Sequence, residues 1–216
     1  MALVPFRAPG HGKTRLATRD RAGVRGLTPA ERAALAAAML SDVAAALTGA
    51  PVDQLVVAAS DAAAATAASA LGLAVVVDPP AAAGLDHALD AAARRTVQEG
   101  TLLVVAADLP CLQPAEVEAV LTVRGAVVVA PTTDGGTGGL LRRPPTAVPT
   151  AYGPRSAERH LALAAARGLP AARVELDGFR HDVDTWADLA ALHQRRPGPA
   201  TAAFLDRIAG RLTATA

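Results

Sequence analysis

Residues 101–110 read TLLVVAADLP, and this stretch decides the fold class. Residues 102–107 are all apolar, and the run stops at the carboxylate of Asp108. A strand with one face in water alternates apolar and polar residues, whereas an uninterrupted apolar run is typical of a strand that helices cover on both faces. We therefore predict a buried strand over residues 102–107 that presents an acidic side chain at its carboxyl end.

Similar apolar runs recur along the chain, separated by alanine-rich segments with helical features. The clearest helix begins with a capping box, Thr28 and Glu31, and has a proline at its first position. Further helices are predicted over residues 62–71, 85–98, 114–123, 156–167, 186–193 and 201–212. Further strands are predicted over residues 2–4, 55–59, 74–77, 126–130, 139–142 and 173–176. The alternation predicts a single α/β domain, residues 1–216, with an open, mostly parallel sheet covered by helices on both faces.

Composition narrows the classes of function. The net charge of +1 gives no basic field for nucleic acid, and one cysteine among 216 residues excludes a disulfide framework and a cysteine zinc cluster. No run approaches the roughly 20 apolar residues of a membrane span. Early prolines, Pro5 and Pro9, interrupt the N-terminal apolar residues and argue against a signal peptide. We expect a cytoplasmic protein without nucleic-acid or membrane partners, and the oligomeric state stays open, with a homodimer among the options.

Ligands of such sheets bind beyond the carboxyl ends of the strands, where this chain places acidic residues. Asp108 follows the central apolar run, and Asp182 and Asp184 precede the predicted helix at residue 186. Two residues apart in an extended segment, Asp182 and Asp184 point the same way. Asp184 or Thr185 could instead cap that helix, but capping leaves Asp182 unexplained. The three carboxylates therefore predict a Mg²⁺ site.

Residues 7–14 read RAPGHGKT and end like a P-loop. That motif requires a glycine six positions before Lys13, where this chain has Arg7, and Pro5 follows the first predicted strand at once. Arg7, Lys13 and Arg15 could nevertheless neutralise a polyphosphate. The segment alone leaves open a P-loop, another phosphate-binding loop and a solvated basic loop.

Two later segments also suggest ligand contacts. Residues 134–139 read DGGTGG, and this density of glycine predicts backbone amides that approach a ligand, or a mobile flap, rather than packing. Ser156 begins a predicted helix, where its hydroxyl could cap the helix while free N–H groups bind an anion. Cys111 is interpreted as a small buried hydrophobe.

Eight segments in order resemble one known family: VPFR, KTRLA, ERAALAAAMLSDV, GLDHAL, AADLPCL, GGTGG, YGPRSAERH and DVDTWADL. Together they resemble the 2-phospho-L-lactate and phosphoenolpyruvate guanylyltransferases of deazaflavin coenzyme F-420 biosynthesis, from Val4 to about Leu189. The resemblance implies a nucleotidyltransferase fold with a Rossmann-like, GT-A-like mixed sheet. It also implies a reaction in which GTP and a phosphorylated three-carbon acid give a guanosine-diphospho-acid and pyrophosphate.

The resemblance assigns roles to individual residues. It implies that Lys13, Asp108 and Asp184 carry catalysis. The residues that it places at the nucleotide are Arg7, Lys13, Arg15, Gly84 and Asp86. The residues that it places at the acceptor are Thr137, Gly153 and Ser156. The residues that it places at Mg²⁺ are Asp108, Asp182 and Asp184.

The chain departs from the family pattern at three positions, and the acceptor stays open. Arg7 stands where lysine is usual, Asp86 where asparagine is usual, and Gly139 where threonine is usual. If the hydroxyl of that threonine contacts the acceptor, Gly139 alters the choice of acceptor. The resemblance favours phosphoenolpyruvate, with 2-phospho-L-lactate and 3-phospho-D-glycerate as alternatives. A P-loop-type NTPase or kinase, and a nucleotide-binding module without turnover, are the competing hypotheses.

Overall fold

The computed structural model describes residues 1–7, 14–18, 26–77 and 84–212. Within these ranges seven strands form one sheet in the order β3-β2-β1-β4-β6-β5-β7. The strands are β1 (Ala2–Phe6), β2 (Leu55–Ala59), β3 (Ala74–Val77), β4 (Leu102–Val105), β5 (Val127–Pro131), β6 (Thr137–Arg142) and β7 (Ala171–Arg173). The mixed, mostly parallel sheet that the sequence predicts is confirmed.

The helices follow the predicted alternation closely. They are α1 (Pro29–Thr48), α2 (Ala62–Ala70), α3 (Gly84–Thr96), α4 (Pro114–Thr122), α5 (Ser156–Ala166), α6 (Asp177–Arg180), α7 (Trp186–Leu192) and α8 (Pro199–Leu212), with a 3-10 turn at Thr14–Leu16. The capping box at α1 is present, because Thr28 accepts from the Glu31 N–H and Glu31 accepts from the Thr28 N–H. No helix in the described part of the chain is long and apolar enough to cross a membrane.

One strand runs against the others and brings distant segments to one edge of the sheet. β6 is antiparallel to β4, with Val105 opposite Gly139 and Leu102 opposite Arg142. The start of β6 therefore lies beside the carboxyl end of β4. The residues that follow β4 and those that precede and begin β6 meet at this edge, which is where α/β sheets bind ligands.

Apolar side chains cover both faces of the sheet. On one face α1, α2, α4 and α6 contribute buried residues such as Val43 and Phe179. On the other face α3 and α5 contribute residues such as Leu89 and Ala164. A third cluster joins α1 to α7 and α8 and includes Leu16 and Val183. This third cluster anchors two segments that border the candidate site.

The structure corrects the predicted end of β1. We expected the strand to stop before Pro5, but it continues through Pro5 and Phe6, paired with β2. The Ala2 N–H donates to the Gln54 carbonyl, on the β2 side of the strand. Because successive backbone nitrogens of a strand point to alternate sides, the Pro5 nitrogen points to the β4 side. Pairing with β4 ends at Leu3 on that side, so no ladder hydrogen bond is lost.

Two smaller differences concern the later part of the chain. β7 lies at Ala171–Arg173 rather than at residues 173–176, and the short helix α6 was not predicted. Four residues are too few to show a helical period in the sequence. α6 nevertheless matters for the site, because it leads directly into residues 181–185.

Candidate active site

Three carboxylates gather at the edge of the sheet described above. Oxygen atoms of Asp108, Asp182 and Asp184 all lie within 4.8 Å of one another. We call this set the carboxylate group. Each side chain is partly buried, so an ion held between them would remain reachable from solvent. The predicted convergence of these residues from two distant segments is confirmed.

Asp108 is held by the apolar residues around it. β4 is completely buried up to Val105, and Leu109, directly after Asp108, is buried as well. The Ala106 N–H donates to the Gly138 carbonyl at 2.9 Å, which ties the end of β4 to the start of β6. Asp108 therefore leaves the sheet at a fixed place between the buried strand β4 and the buried Leu109.

Asp182 and Asp184 are held by the residue between them. Val183 is 1% exposed and packs in the third cluster with Leu16 and Trp186. In an extended segment the flanking side chains point away from Val183, so both carboxylates face the other way. Thr185 caps α7, accepting from the Asp188 N–H in a capping box. Capping therefore falls to Thr185 and not to Asp184.

The glycines of β6 let α6 approach the sheet, which corrects our interpretation of the glycine-rich stretch. A Cβ on Gly138 would lie 2.3 Å from the Phe179 carbonyl oxygen, and one on Gly139 would lie 2.7 Å from the Phe179 ring. At these two positions glycine is required by packing, contrary to our prediction. Because α6 leads into residues 182–184, this close approach also places the carboxylate group.

The contact with Phe179 also shows whether glycine instead of threonine at position 139 changes the acceptor side of the site. A side chain there would meet Phe179, whereas Thr137 on the same strand contacts Ser156 and His160 on α5. The register of β6 against β5 shifts between Ala130 and Pro131, and the two positions consequently face opposite sides of the sheet. A glycine at 139 therefore removes no hydroxyl from the side on which Thr137 lies.

A buried polar cluster lies on that other side. The Thr137 hydroxyl lies 2.9 Å from the Ser156 hydroxyl and 3.1 Å from Nδ1 of His160. All three residues are buried. We call this set the hydroxyl–imidazole cluster. Thr137 and Ser156 were predicted from the resemblance as acceptor ligands, and the structure brings them into contact across 19 residues of sequence.

Ser156 does not cap α5, which corrects a second prediction. Arg155 occupies the N-cap position, without a side-chain capping bond and with a left-handed φ of 55°. The first N–H groups are also engaged, because Ser156 donates to the Gly153 carbonyl and Ala157 to the Gly135 carbonyl. The Ser156 hydroxyl is thus directed to Thr137 rather than to its own helix. A non-glycine residue with positive φ is strained, and such strain often lies at ligand sites.

The loop before α5 is fastened to the start of α3. The Asp86 carboxylate accepts from the Tyr152 N–H at 2.8 Å, and the Asp86 carbonyl accepts from the Thr150 hydroxyl at 2.8 Å. Gly84 begins α3 with a φ of +76°, a conformation that glycine adopts without strain. Asp86 therefore connects the segment expected at the nucleoside with Gly153, which is expected at the acceptor.

The predicted cationic residues are only partly described. Lys13 lies outside the described residues, and Arg7 and Arg15 are exposed. Leu16 is buried, and its carbonyl accepts from the Leu27 N–H, which fixes the chain directly after Arg15. A hydrogen bond from Thr132 is the main cause that lowers the pKa of Asp134, and the charge of Arg15 adds to it. Arg15 therefore lies within electrostatic range of the turn between β5 and β6.

Sequence reasoning missed two residues that shape the site, Phe179 and His160. Phe179 stands alone among polar neighbours, so no pattern marked it as a core residue. His160 closes the segment YGPRSAERH and lies four residues after Ser156, one helical turn further on, and both facts were available signals. Burial lowers the pKa of His160 to about 4, with Arg142 and Arg159 acting in the same direction, so the ring is neutral at pH 7.

Cys111 takes no part in this chemistry. Its thiol is buried, and burial raises its pKa to about 11. A thiol in this state is neutral at pH 7 and unreactive. The interpretation as a small buried hydrophobe is confirmed.

Comparison with known proteins identifies the group to which this architecture belongs. A family model described as "Guanylyl transferase CofC like" matches residues 1–213. A phosphoenolpyruvate guanylyltransferase from Roseiflexus sp. is 37% identical over 210 residues, which cover 96% of this chain and 90% of that protein.

Solved structures share the fold at lower identity. A protein from Desulfovibrio desulfuricans, assigned as a nucleotide-diphospho-sugar transferase, matches with a TM-score of 0.74 at 18% identity, covering 98% of this chain and 96% of that one. A protein from Mycobacterium tuberculosis, solved as a complex with manganese, matches with a TM-score of 0.54 at 21% identity, covering 89% and 97%. The fold is therefore that of the nucleotidyltransferases.

Proposed function

The chain belongs to the family of CofC-like guanylyl transferases, and on this premise we propose that it transfers GMP from GTP to phosphoenolpyruvate. The products are enolpyruvyl-diphospho-guanosine, an intermediate of coenzyme F-420 biosynthesis, and pyrophosphate. The observation that carries the proposal is the convergence of Asp108, Asp182 and Asp184 at the edge of a nucleotidyltransferase sheet. We propose that the whole chain works as one such domain.

The donor set of the carboxylate group fits a hard divalent cation. Carboxylate oxygens are the ligands that Mg²⁺ prefers, and a small ion keeps several waters, which partly exposed ligands allow. A solved structure of the same fold is a manganese complex, which supports a divalent cation. We propose that the three residues hold Mg²⁺. When bound, the ion neutralises charge on the α-phosphate and on the leaving pyrophosphate.

The reaction requires positioning more than proton transfer. The phosphate of the acceptor is itself the nucleophile, and one of its oxygens forms a bond to the α-phosphorus of GTP. The bond from the α-phosphorus to the bridging oxygen breaks, and pyrophosphate leaves with that electron pair. No proton moves, so the site needs cations and oriented donors rather than a general base.

We propose separate residues for the two substrates. Arg7, Lys13 and Arg15 hold the triphosphate, a role that arginine and lysine perform through charge-assisted hydrogen bonds. Gly84 and Asp86 border the nucleoside. Thr137, Gly153 and Ser156 bind the carboxylate and the phosphate of the acceptor. The hydrogen bond from Tyr152 to Asp86 supports this arrangement, because it links the two groups of residues.

A panel of substrates tests the proposal. Purified protein with GTP and Mg²⁺ is supplied with phosphoenolpyruvate, 2-phospho-L-lactate or 3-phospho-D-glycerate, and pyrophosphate release is measured. We expect the highest kcat/KM with phosphoenolpyruvate and little release when ATP, CTP or UTP replaces GTP.

The outcomes separate the competing hypotheses. If another acid gives the highest release of pyrophosphate, guanylyl transfer remains the proposed reaction and that acid becomes the proposed acceptor. Release of orthophosphate without an acceptor indicates an NTPase, and GTP binding without any turnover indicates a binding module. Absence of pyrophosphate with all three acids would overturn the proposal.

A further inference from the structure

The ring of His160 links two segments of the acceptor region. Its Nε2 accepts from the backbone N–H of Ala151 at 2.9 Å, and its Nδ1 lies 3.1 Å from the Thr137 hydroxyl. The ring is completely buried and packs edge to face against Tyr152. The resemblance assigned no role to this residue.

The Ala151 N–H determines which ring nitrogen carries the proton. A backbone N–H only donates, so Nε2 must be the unprotonated nitrogen. A neutral imidazole then carries its proton on Nδ1, so Thr137 cannot donate to the ring, and this N–H is available to the Thr137 hydroxyl oxygen and to the Ser156 carbonyl.

This direction decides how many hydroxyl hydrogens remain for a ligand. Thr137 and Ser156 have one O–H hydrogen each, and the hydrogen bond between them uses one. With Nδ1–H donating to Thr137, the second hydrogen is left to point out of the cluster. With the opposite tautomer, Thr137 would donate to Nδ1 and Ser156 to Thr137, so that neither hydrogen would be left.

We propose that His160 is a positioning residue that, through its Nδ1–H tautomer, makes the Thr137–Ser156 pair present one O–H donor to the anionic acceptor. This inference rests on the proposed function, because it concerns the acceptor of that same reaction. An acceptor with phosphate and carboxylate oxygens offers only hydrogen-bond acceptors when ionised, so a cluster without a free O–H would not bind it.

The charges around the ring keep it in the required state. Burial lowers the pKa of His160 and the charges of Arg142 and Arg159 lower it further, while Asp90 and the Ser156 carbonyl raise it. A protonated ring would place a second N–H against the Ala151 N–H, and two donors that face each other cannot form a hydrogen bond. The neutral ring is therefore the form that this site accommodates.

Two variants of similar size separate the donor role from the packing role. An asparagine amide can occupy the place of Nδ1, so His160→Asn keeps a donor to Thr137, whereas a glutamine amide reaches the place of Nε2, so His160→Gln keeps only the acceptor for Ala151. We expect His160→Gln to raise the KM for phosphoenolpyruvate roughly 10-fold or more. We expect His160→Asn to raise this KM much less, and both variants to keep the KM for GTP.

The exposed His193 provides a matched control, and His193→Gln should leave both KM values unchanged. Equal effects of Asn and Gln at position 160, or a parallel change in the KM for GTP, would reduce His160 to a packing residue and overturn the proposal. If the wild-type protein transfers no guanylyl group to any of the three acids, the proposed function fails, and the tautomer can still be tested separately.

The tautomer can be read from the wild-type protein without any variant. A two-dimensional ¹H–¹⁵N spectrum that detects couplings across the ring distinguishes Nδ1–H from Nε2–H, and His160→Asn assigns the signals if it folds. We expect Nδ1–H at pH 7. If each of the five histidines proves to be Nε2–H or doubly protonated, the proposal is wrong whether or not the variants fold.

Discussion

The carboxylate group and the hydroxyl–imidazole cluster lie at the same edge of the sheet but are held in opposite ways. The segments that carry the carboxylates are packed through apolar neighbours, namely Leu109, Val183 and Phe179, and the Asp184 N–H also donates to the Asp188 carboxylate. The cluster is placed by hydrogen bonds between its own members and to the backbone of Ala151. Packing fixes position without fixing the direction of a proton, whereas a buried hydrogen-bond chain fixes both.

This difference in how the two regions are held matches the ligands that we propose for them, a cation for the carboxylate group and an anionic acceptor for the hydroxyl–imidazole cluster. A hydrated cation binds through charge and needs carboxylate oxygens at fixed positions, but it does not depend on the direction of a proton. An anionic acceptor needs a donor that points at it, and a hydroxyl pointing elsewhere provides none. Each region can therefore be damaged in its own way, and the following predictions are arranged from the largest expected effect to the smallest.

Removing charge from the carboxylate group should abolish activity without unfolding the protein. We expect Asp108→Asn or Asp184→Asn to lower kcat/KM on the order of 10³-fold, because a neutral amide replaces one charged ligand of the proposed cation. Pyrophosphate release measures the effect, and far-UV circular dichroism verifies the fold. Asp53, exposed on the loop before β2, gives the control Asp53→Asn, with activity unchanged. An unfolded Asp108→Asn protein would show that the carboxylate is structural.

Acid should destabilise the hydroxyl–imidazole cluster. Folding lowers the pKa of His160 from its ordinary value of 6.5 to about 4. Between pH 4 and pH 6.5 the ring is therefore protonated in the unfolded chain and neutral in the folded protein. The stabilisation is complete above pH 6.5 and is lost as the pH falls towards 4, by up to about 3 kcal/mol.

Urea unfolding at several pH values measures this effect. The free energy of unfolding of the wild-type protein should fall more steeply between pH 6.5 and 4 than that of His160→Asn, which lacks the titrating ring. Parallel curves for the two proteins would contradict the account of a buried neutral ring.

Filling the space beside Phe179 should disturb the carboxylate group through packing alone. Gly139→Ala places a methyl group 2.7 Å from the ring and should lower the free energy of unfolding by about 2 kcal/mol and raise the Mg²⁺ concentration needed for activity. Adding Phe179→Leu should recover part of this loss, so the two changes should not be additive.

Gly210, on α8, is the matched control for the glycine change. Among the described residues, no atom beyond its chain neighbours and its own helix backbone lies within 4 Å of a Cβ built there, so Gly210→Ala should be neutral or stabilise the helix by up to about 1 kcal/mol. Equal destabilisation by both alanines would show that the contact with Phe179 is not the cause.

The smallest effect should come from Cys111. Cys111→Ala removes a buried sulfur and should lower the free energy of unfolding by about 1 kcal/mol, with kcat/KM within about two-fold of the wild type. The native thiol should resist alkylation at pH 8 and react after unfolding. Rapid alkylation of the folded protein, or a large loss of activity in Cys111→Ala, would contradict its assignment as a packing residue.

The sequence predicted the two regions to different extents, because one is placed by packing and strand topology and the other by hydrogen bonds. The acidic residues stand at strand ends and next to a helix start, so local pattern and topology sufficed to bring Asp108 to Asp182 and Asp184. The contact of Thr137 with Ser156 was implied only by the resemblance, and the role of His160 needs hydrogen-bond directions that no pattern encodes.

Phe179 shows the same limit for packing. The glycines of β6 suggested a ligand because their partner, a single aromatic residue 40 positions away, could not be identified from the sequence. Pro5 misled in the same way, since only the divergence of β1 from β4 shows that its missing N–H costs nothing.

The fate of the GTP phosphates tests the central claim most directly. The wild-type protein is incubated with Mg²⁺, phosphoenolpyruvate and GTP labelled at either the α- or the γ-phosphate, and the products are separated. We predict that the α-label appears in a guanosine-diphospho-adduct of the acid and the γ-label in pyrophosphate. Appearance of the γ-label in orthophosphate or on the acceptor would contradict guanylyl transfer.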